Sequence, residues 1–185
     1  MLRKLLAGVA LSLVASAAGA VGLQIDVAGE ANGTITIELL PDVAPKHVAQ
    51  ITALAAEGKY DGVVFHRVID GFMAQTGDVQ YGRLDGDIRR AGTGGSDLPN
   101  IPAEFSDVPF ERGVVGMARA QDPNSANSQF FIMFAPGDFL NGQYTVVGRV
   151  TEGMDVVDAI KKGSQASNGS VDGTPDVMTS VRVTE

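Results

Sequence analysis

Short alternating or apolar runs, each cut off by glycine, proline or aspartate, confine this chain to a fold of short strands joined by turns. Thr34-Ile35-Thr36-Ile37-Glu38-Leu39 alternates strictly, which puts its apolar side chains on one face of a strand, and Pro41-Asp42 ends it. Further strands are predicted over 63–69, 113–118, 129–134, 144–150 and 178–183. Two segments carry helical spacing instead. Pro45 suits a first helical turn, Val48, Ile51, Thr52, Leu54 and Ala55 form one stripe, and Gly58 ends it. Gly153 to Lys161 reads as a second helix, with Met154, Val157 and Ile160 on one side. Many short antiparallel strands, two short helices and no internal repeat predict one mostly-β domain, a barrel or a sandwich.

The first twenty residues stand apart from that pattern. Met1-Leu2-Arg3-Lys4 is a basic start, Leu5 to Val14 is apolar except for Ser12, and Ala18-Gly19-Ala20 is a small-x-small cleavage pattern. This is the layout of a Sec signal peptide over 1–20, with the mature domain over 21–185 in the periplasm. The apolar run is short for a membrane anchor, so no stable insertion is expected after cleavage. There are no cysteines, which removes disulfides, thiolate catalysis and thiolate metal sites. The net charge is −8, and removal of 1–20, which hold two basic and no acidic residues, takes it to −10. An acidic domain without a basic patch is a poor nucleic-acid binder, so no nucleic-acid partner is expected.

Residues 81–100 are rich in Gly, Asp and Arg and lack any apolar period, which marks a long loop, a kind of segment that often carries function in compact domains. Gly92-Thr93-Gly94-Gly95-Ser96 resembles a phosphate cradle, but no Lys-Ser/Thr pair follows and Pro99 interrupts any helix behind it. Strand alternation places Phe65 and Arg67 on one face and His66 on the other. Likewise Gln129, Phe131 and Met133 oppose Phe130 and Ile132, and Met73 and Gln75 share a side. Donors mixed with large apolar side chains on one face suit a groove that binds an apolar ligand and orients one polar group. The same pattern also suits a surface arginine lying over apolar neighbours and a Phe131 in ordinary core. His66, within an apolar run, reads as a hydrogen-bonded core residue, and His47, near a helix start, as exposed. The two histidines form no metal motif, and no Gly-x-Ser-x-Gly elbow is present.

Four blocks make a more specific statement. Residues 65–78 read Phe-His-Arg-Val-Ile-Asp-Gly-Phe-Met-Ala-Gln-Thr-Gly-Asp. Gly116-Met117-Ala118-Arg119-Ala120 is followed by Asn124-Ser125-Ala126-Asn127-Ser128-Gln129-Phe130-Phe131-Ile132. Residues 139–148 read Phe-Leu-Asn-Gly-Gln-Tyr-Thr-Val-Val-Gly, and 152–157 read Glu-Gly-Met-Asp-Val-Val. In this order, over about 34–183, the blocks resemble those of the cyclophilin-type peptidyl-prolyl cis-trans isomerases, and of their bacterial members in particular.

The resemblance implies a closed eight-stranded antiparallel β-barrel capped by two α-helices, with the substrate groove on its outside. It implies an isomerase of Xaa-Pro bonds that needs no cofactor and acts on proline-containing unfolded or folding polypeptides; a monomer is expected. Arg67 matches the catalytic arginine. Phe72, Met73, Phe131, Phe139 and Leu140 match the pocket for the proline ring. Gln75 and Gln129 match residues that bond substrate backbone and hold Arg67, and Ala118 and Arg119 match the strip beside the residue before proline. Phe139 stands where eukaryotic members often carry Trp, Tyr144 where they often carry His, and Arg119 in place of a common Asn. These departures bear on cyclosporin affinity and peptide preference more than on activity. The competing functional reading is a proline-binding chaperone or adaptor with little catalysis. A carrier of small ligands inside the barrel would need inward polar residues, where Phe130 and Ile132 are apolar.

Overall fold

The computed structural model describes residues 21–185, so the signal peptide expected over 1–20 lies outside the described residues. Among the described residues there are nine strands: β1 (Gly22–Ala28), β2 (Gly33–Leu39), β3 (Val63–Val64), β4 (Arg67–Ile69), β5 (Met73–Thr76), β6 (Val114–Met117), β7 (Phe130–Met133), β8 (Val146–Glu152) and β9 (Val177–Thr184). They form one sheet in the order β3-β9-β1-β2-β8-β6-β7-β5-β4, with every pairing antiparallel. The helices are α1 (Pro45–Ala56) and α2 (Met154–Ala159), close to their predicted places.

The sheet is an open, curled half-barrel of nine strands, which corrects the expected closed barrel of eight. Among the described residues no ladder joins its edge strands β3 and β4, which the chain connects through Phe65 and His66. The pattern over 63–69 predicts one strand, but the chain breaks at these two residues. The Phe65 N–H bonds the Asp176 carbonyl at 2.9 Å, whereas the Val68 N–H bonds that of Gly169 at 2.7 Å. β3 therefore pairs with β9 and β4 with β5. The sequence pattern marks no strand before Thr34, yet β1 pairs with both β2 and β9, and its alternate residues Leu23, Ile25 and Val27 are all buried.

Alternation along β7 divides the apolar residues into two bodies. Phe130 and Ile132 join the main core with Ile25, Ile35, Ile37 and Met117. That core also receives Val48, Ile51, Leu54 and Ala55 of α1 and Val157 of α2. Full burial of one such large side chain is worth about 1.5–3 kcal/mol. Phe131 and Met133 point the other way, into a second cluster with Met73, Phe110, Val114, Leu140 and Val146. The outer face of this part of the sheet is thus itself apolar and covered. Gly116 faces Phe131 across the β6–β7 ladder, and a Cβ there would lie 2.5 Å from Phe131 Cζ and 2.6 Å from Phe110 Cε1. Its missing side chain lets the Phe110 and Phe131 rings stack with centroids 5.8 Å apart.

His47 is completely buried, which corrects the expectation of an exposed residue. The cause is the start of α1. Its N-cap, Ala44, has no side-chain acceptor, and Glu104 from a distant loop takes that place. The Glu104 carboxylate accepts the backbone N–H groups of Lys46 and His47, and Nδ1 of His47 donates to it at 2.7 Å. Satisfying the helix end draws the loop over the imidazole.

Candidate active site

Register builds the site. On the outer face, Arg67 of β4 lies opposite Gln75 of β5, Gln75 opposite Phe131 of β7, and Phe131 opposite Gly116 of β6. One row across four strands therefore holds a cation, an amide, an aromatic ring and a gap. The tight turn at Asp70–Gly71 between β4 and β5 brings Met73 into the same neighbourhood, and Gly71 takes φ +69° to make it.

The guanidinium of Arg67 is held from two sides. Its Nη1 donates to Gln75 Oε1 at 3.1 Å, its Nε to the Asn168 carbonyl at 3.0 Å and its Nη2 to Asn168 Oδ1 at 3.0 Å. Nη1 also lies 4.0 Å from Met73 Sδ, a weak acceptor; an arginine carries five N–H donors, so these bonds leave donor capacity for a ligand. Burial draws the Arg67 pKa below its ordinary value, with the nearby Tyr144 acting in the opposite sense. An arginine remains charged under such a shift.

Behind Arg67 the bonds continue. Gln75 Nε2 donates to Gln129 Oε1 at 2.9 Å, and Gln129 Nε2 to the Gly94 carbonyl at 2.8 Å. The Gly94 loop is anchored in turn by the buried Asp78, whose carboxylate accepts the N–H groups of Gln80, Tyr81, Gly92 and Gly94. A chain of side-chain amides thus ties the arginine to the long 81–100 loop.

A cleft of about 410 Å³ opens beside Arg67. Met73, Phe131 and Leu140, all nearly buried, make its floor with Phe72. Phe139 forms the rim, 66 % exposed, with its ring 5.4 Å from that of Phe72. Tyr144 packs edge-on to Phe131 at 5.9 Å, and the Arg119 guanidinium lies 4.3 Å over the Tyr144 ring. Ala118 completes the wall. Of the residues expected at the site, Gln129 alone is absent from this lining; it lines a second cleft of about 490 Å³. That cleft adjoins the first through Gln75, Ala118 and Arg119 and is bounded by Gly92–Ser96, Asn127 and Ala120.

Phe65, expected to share a face with Arg67, is buried in the main core instead, because the strand breaks there. His66 is absent from the cleft lining, and among the described residues neither of its ring nitrogens has a hydrogen-bond partner, which corrects the expected hydrogen bonding. It sits in the chain break between β3 and β4, against the backbone of Gly92. Burial holds its imidazole below the ordinary pKa, with the Asp78 carboxylate acting against that shift. Asn168 and Gln143 are site residues that sequence reasoning does not find. Asn168-Gly169 is a legible turn signal, and Asn168 adopts φ 53°, ψ 39°. Nothing local to it signals Arg67, 101 positions away.

Comparison with known proteins bears on the same residues. Positions 23–183 match the family model described as cyclophilin type peptidyl-prolyl cis-trans isomerase/CLD. A probable peptidyl-prolyl cis-trans isomerase of Brucella suis is 68% identical over 142 residues, covering 76% of this chain and 72% of the relative. A peptidyl-prolyl cis-trans isomerase of Streptomyces antibioticus is 39% identical over 163 residues, covering 82% and 93%. Among solved structures, a Hirschia baltica cyclophilin superposes with TM-score 0.70 at 28% identity, covering 86% of this chain and 72% of that one. A Cryptosporidium parvum cyclophilin, solved in the presence of the dipeptide Ala-Pro, gives TM-score 0.73 at 26% identity, covering 89% and 99%.

Proposed function

The chain belongs to the cyclophilin-type peptidyl-prolyl cis-trans isomerases, and we propose that it works by seating proline in the apolar cleft while Arg67 stabilises the twisted amide. The barrier to rotation, about 18–20 kcal/mol, comes from the double-bond character of C–N. Before proline both isomers are populated, but exchange takes tens to hundreds of seconds. No covalent bond breaks. In the twisted state the prolyl nitrogen becomes pyramidal and regains its lone pair. A guanidinium N–H can donate to that lone pair, and a second N–H to the prolyl carbonyl. Each 1.36 kcal/mol gained only in the twisted state raises the rate tenfold.

Phe72, Met73, Phe131 and Leu140 fix the ring, and Phe139 closes over it, while the residue before proline turns against Ala118. The apolar floor limits water around Arg67, which strengthens its hydrogen bonds to substrate. Gln75 and Asn168 hold the arginine in place in advance, so little reorganisation is needed at the moment of rotation. The observation that carries this reading is the Arg67 guanidinium, clamped on two sides at the edge of an apolar cleft. An adaptor that only bound proline would use the cleft but would not need the clamp.

The partners are proline-containing segments of unfolded or folding polypeptides, in keeping with the Ala-Pro dipeptide present with the Cryptosporidium relative. On the reading of 1–20 as a Sec signal, we place the work in the periplasm, by a monomer. The test is cis-trans exchange of a Xaa-Pro peptide measured by NMR. Arg67→Ala lowers turnover at least about tenfold with the fold intact. Unchanged turnover removes Arg67 from its role.

A further inference from the structure

Among the described residues, the charged side chains lining the two clefts are Arg67 and Arg119, both cations. The surroundings have the opposite sign, since residues 21–185 carry a net charge of −10. Outside the clefts, Arg83, Arg89, Arg112, Arg149 and Arg182 each pair with a carboxylate, and Arg90 stacks on Tyr81. Among the described residues the two groove arginines have no carboxylate partner. Arg67 bonds Gln75 and Asn168, and Arg119 bonds the carbonyls of Ala120, Gln121 and Gln143. Carbonyl oxygens fix a guanidinium but do not neutralise it.

Arg119 is also held rigidly. One of its faces stacks on Tyr144, and its bonds pin the 119–121 segment to Gln143. It belongs to both linings, so it stands where the apolar cleft passes into the polar one. An extended peptide advances about 3.3 Å per residue. With proline in the apolar cleft, a residue one or two positions away falls beside Arg119. A carboxylate there meets a pre-placed cation; an ammonium meets repulsion from it.

Resting on the catalytic reading above, we propose that Arg119 is a specificity-determining residue, which makes this isomerase prefer proline segments carrying an acidic side chain within two residues of the proline. The experiment compares peptides identical except for Glu or Lys at a position one or two residues before or after proline. kcat/KM is measured for the wild type and Arg119→Gln, at low and high salt. The Glu-to-Lys ratio is the readout, because it cancels any general loss of binding in the variant. At one position or more the wild type favours Glu by about five- to tenfold at low salt, as attraction in one peptide and repulsion in the other require. The preference shrinks at high salt and falls towards unity in Arg119→Gln. A ratio near one at every position, or one unaltered in Arg119→Gln, overturns the assignment. Exchange with a flat ratio strikes Arg119 alone; no exchange with any peptide strikes the catalytic reading, and this inference with it.

Discussion

Asn168 offers a test of how Arg67 is held, because its two contributions come apart by substitution. Its carbonyl accepts from Arg67 Nε and its side-chain oxygen from Nη2, both at 3.0 Å. Its backbone is left-handed, at φ 53°. Asn168→Gly keeps the carbonyl and removes the side-chain bond, together with the Cβ that the left-handed conformation penalises. Asn168→Ala removes the same bond but keeps a Cβ in the left-handed region, whose steric cost of about 1–2 kcal/mol the glycine variant escapes. For a domain of this size, about 2–4 °C of melting temperature goes with each kcal/mol. The alanine variant therefore melts roughly 2–8 °C below the glycine variant. Turnover behaves differently. A hydrogen bond to a charged group is worth about 1.5–3 kcal/mol, and the exposure of Asn168 puts this one at or below the lower end. If that bond serves to aim Arg67 at the twisted amide, its loss lowers kcat by about three- to tenfold in both variants alike. Exchange NMR on a Xaa-Pro peptide and thermal melts supply both numbers. Full turnover in Asn168→Gly would show that the Gln75 side of the clamp suffices and refute the reasoning.

Two further predictions concern the frame. Gly116→Ala sets a methyl against Phe110 and Phe131 and costs about 1–3 kcal/mol by overpacking. Because Phe131 is displaced towards the cleft, KM for a proline peptide rises as the melting temperature falls; a variant that loses stability at unchanged KM would separate Gly116 from the cleft. Burial raises the Glu104 pKa, but the bonds from the His47 side chain and from the His47 and Lys46 backbone outweigh it and leave it below 4.5. A carboxylate depressed in this way stabilises the fold fully above its unfolded pKa and loses that contribution as pH falls through its lower folded value. Glu104→Gln should therefore lower stability at neutral pH by about 1 kcal/mol, as loss of a helix cap does, and flatten the acid limb below roughly pH 4.5 in a denaturant titration. An acid limb as steep as that of the wild type would dismiss the Glu104 cap.

Strand and helix positions, the two faces of β7 and the turn at Asp70–Gly71 are legible in the sequence because each rests on residues only a few positions apart. Period-two alternation separates Phe130 and Ile132 from Phe131 and Met133 whatever the sheet does next. The same local logic fails where a distant partner decides. Residues 63–69 are uniformly strand-like, yet the Asp176 and Gly169 carbonyls break the run at Phe65–His66 and leave the sheet open. His47 resembles an exposed residue near a helix start until Glu104, 57 positions on, caps that start and covers it.

The sequence alone thus carried a resemblance to the family, the alternating faces of β7 and an arginine close in sequence to aromatic and methionine side chains. The pairing of strands decided the rest: that Arg67, Gln75, Phe131 and Gly116 form one row, that Asn168 closes on the arginine, and that Arg119 spans two clefts. Side-chain direction is set by neighbours along the chain, whereas the group that a side chain meets is set by which remote segment the ladder brings beside it.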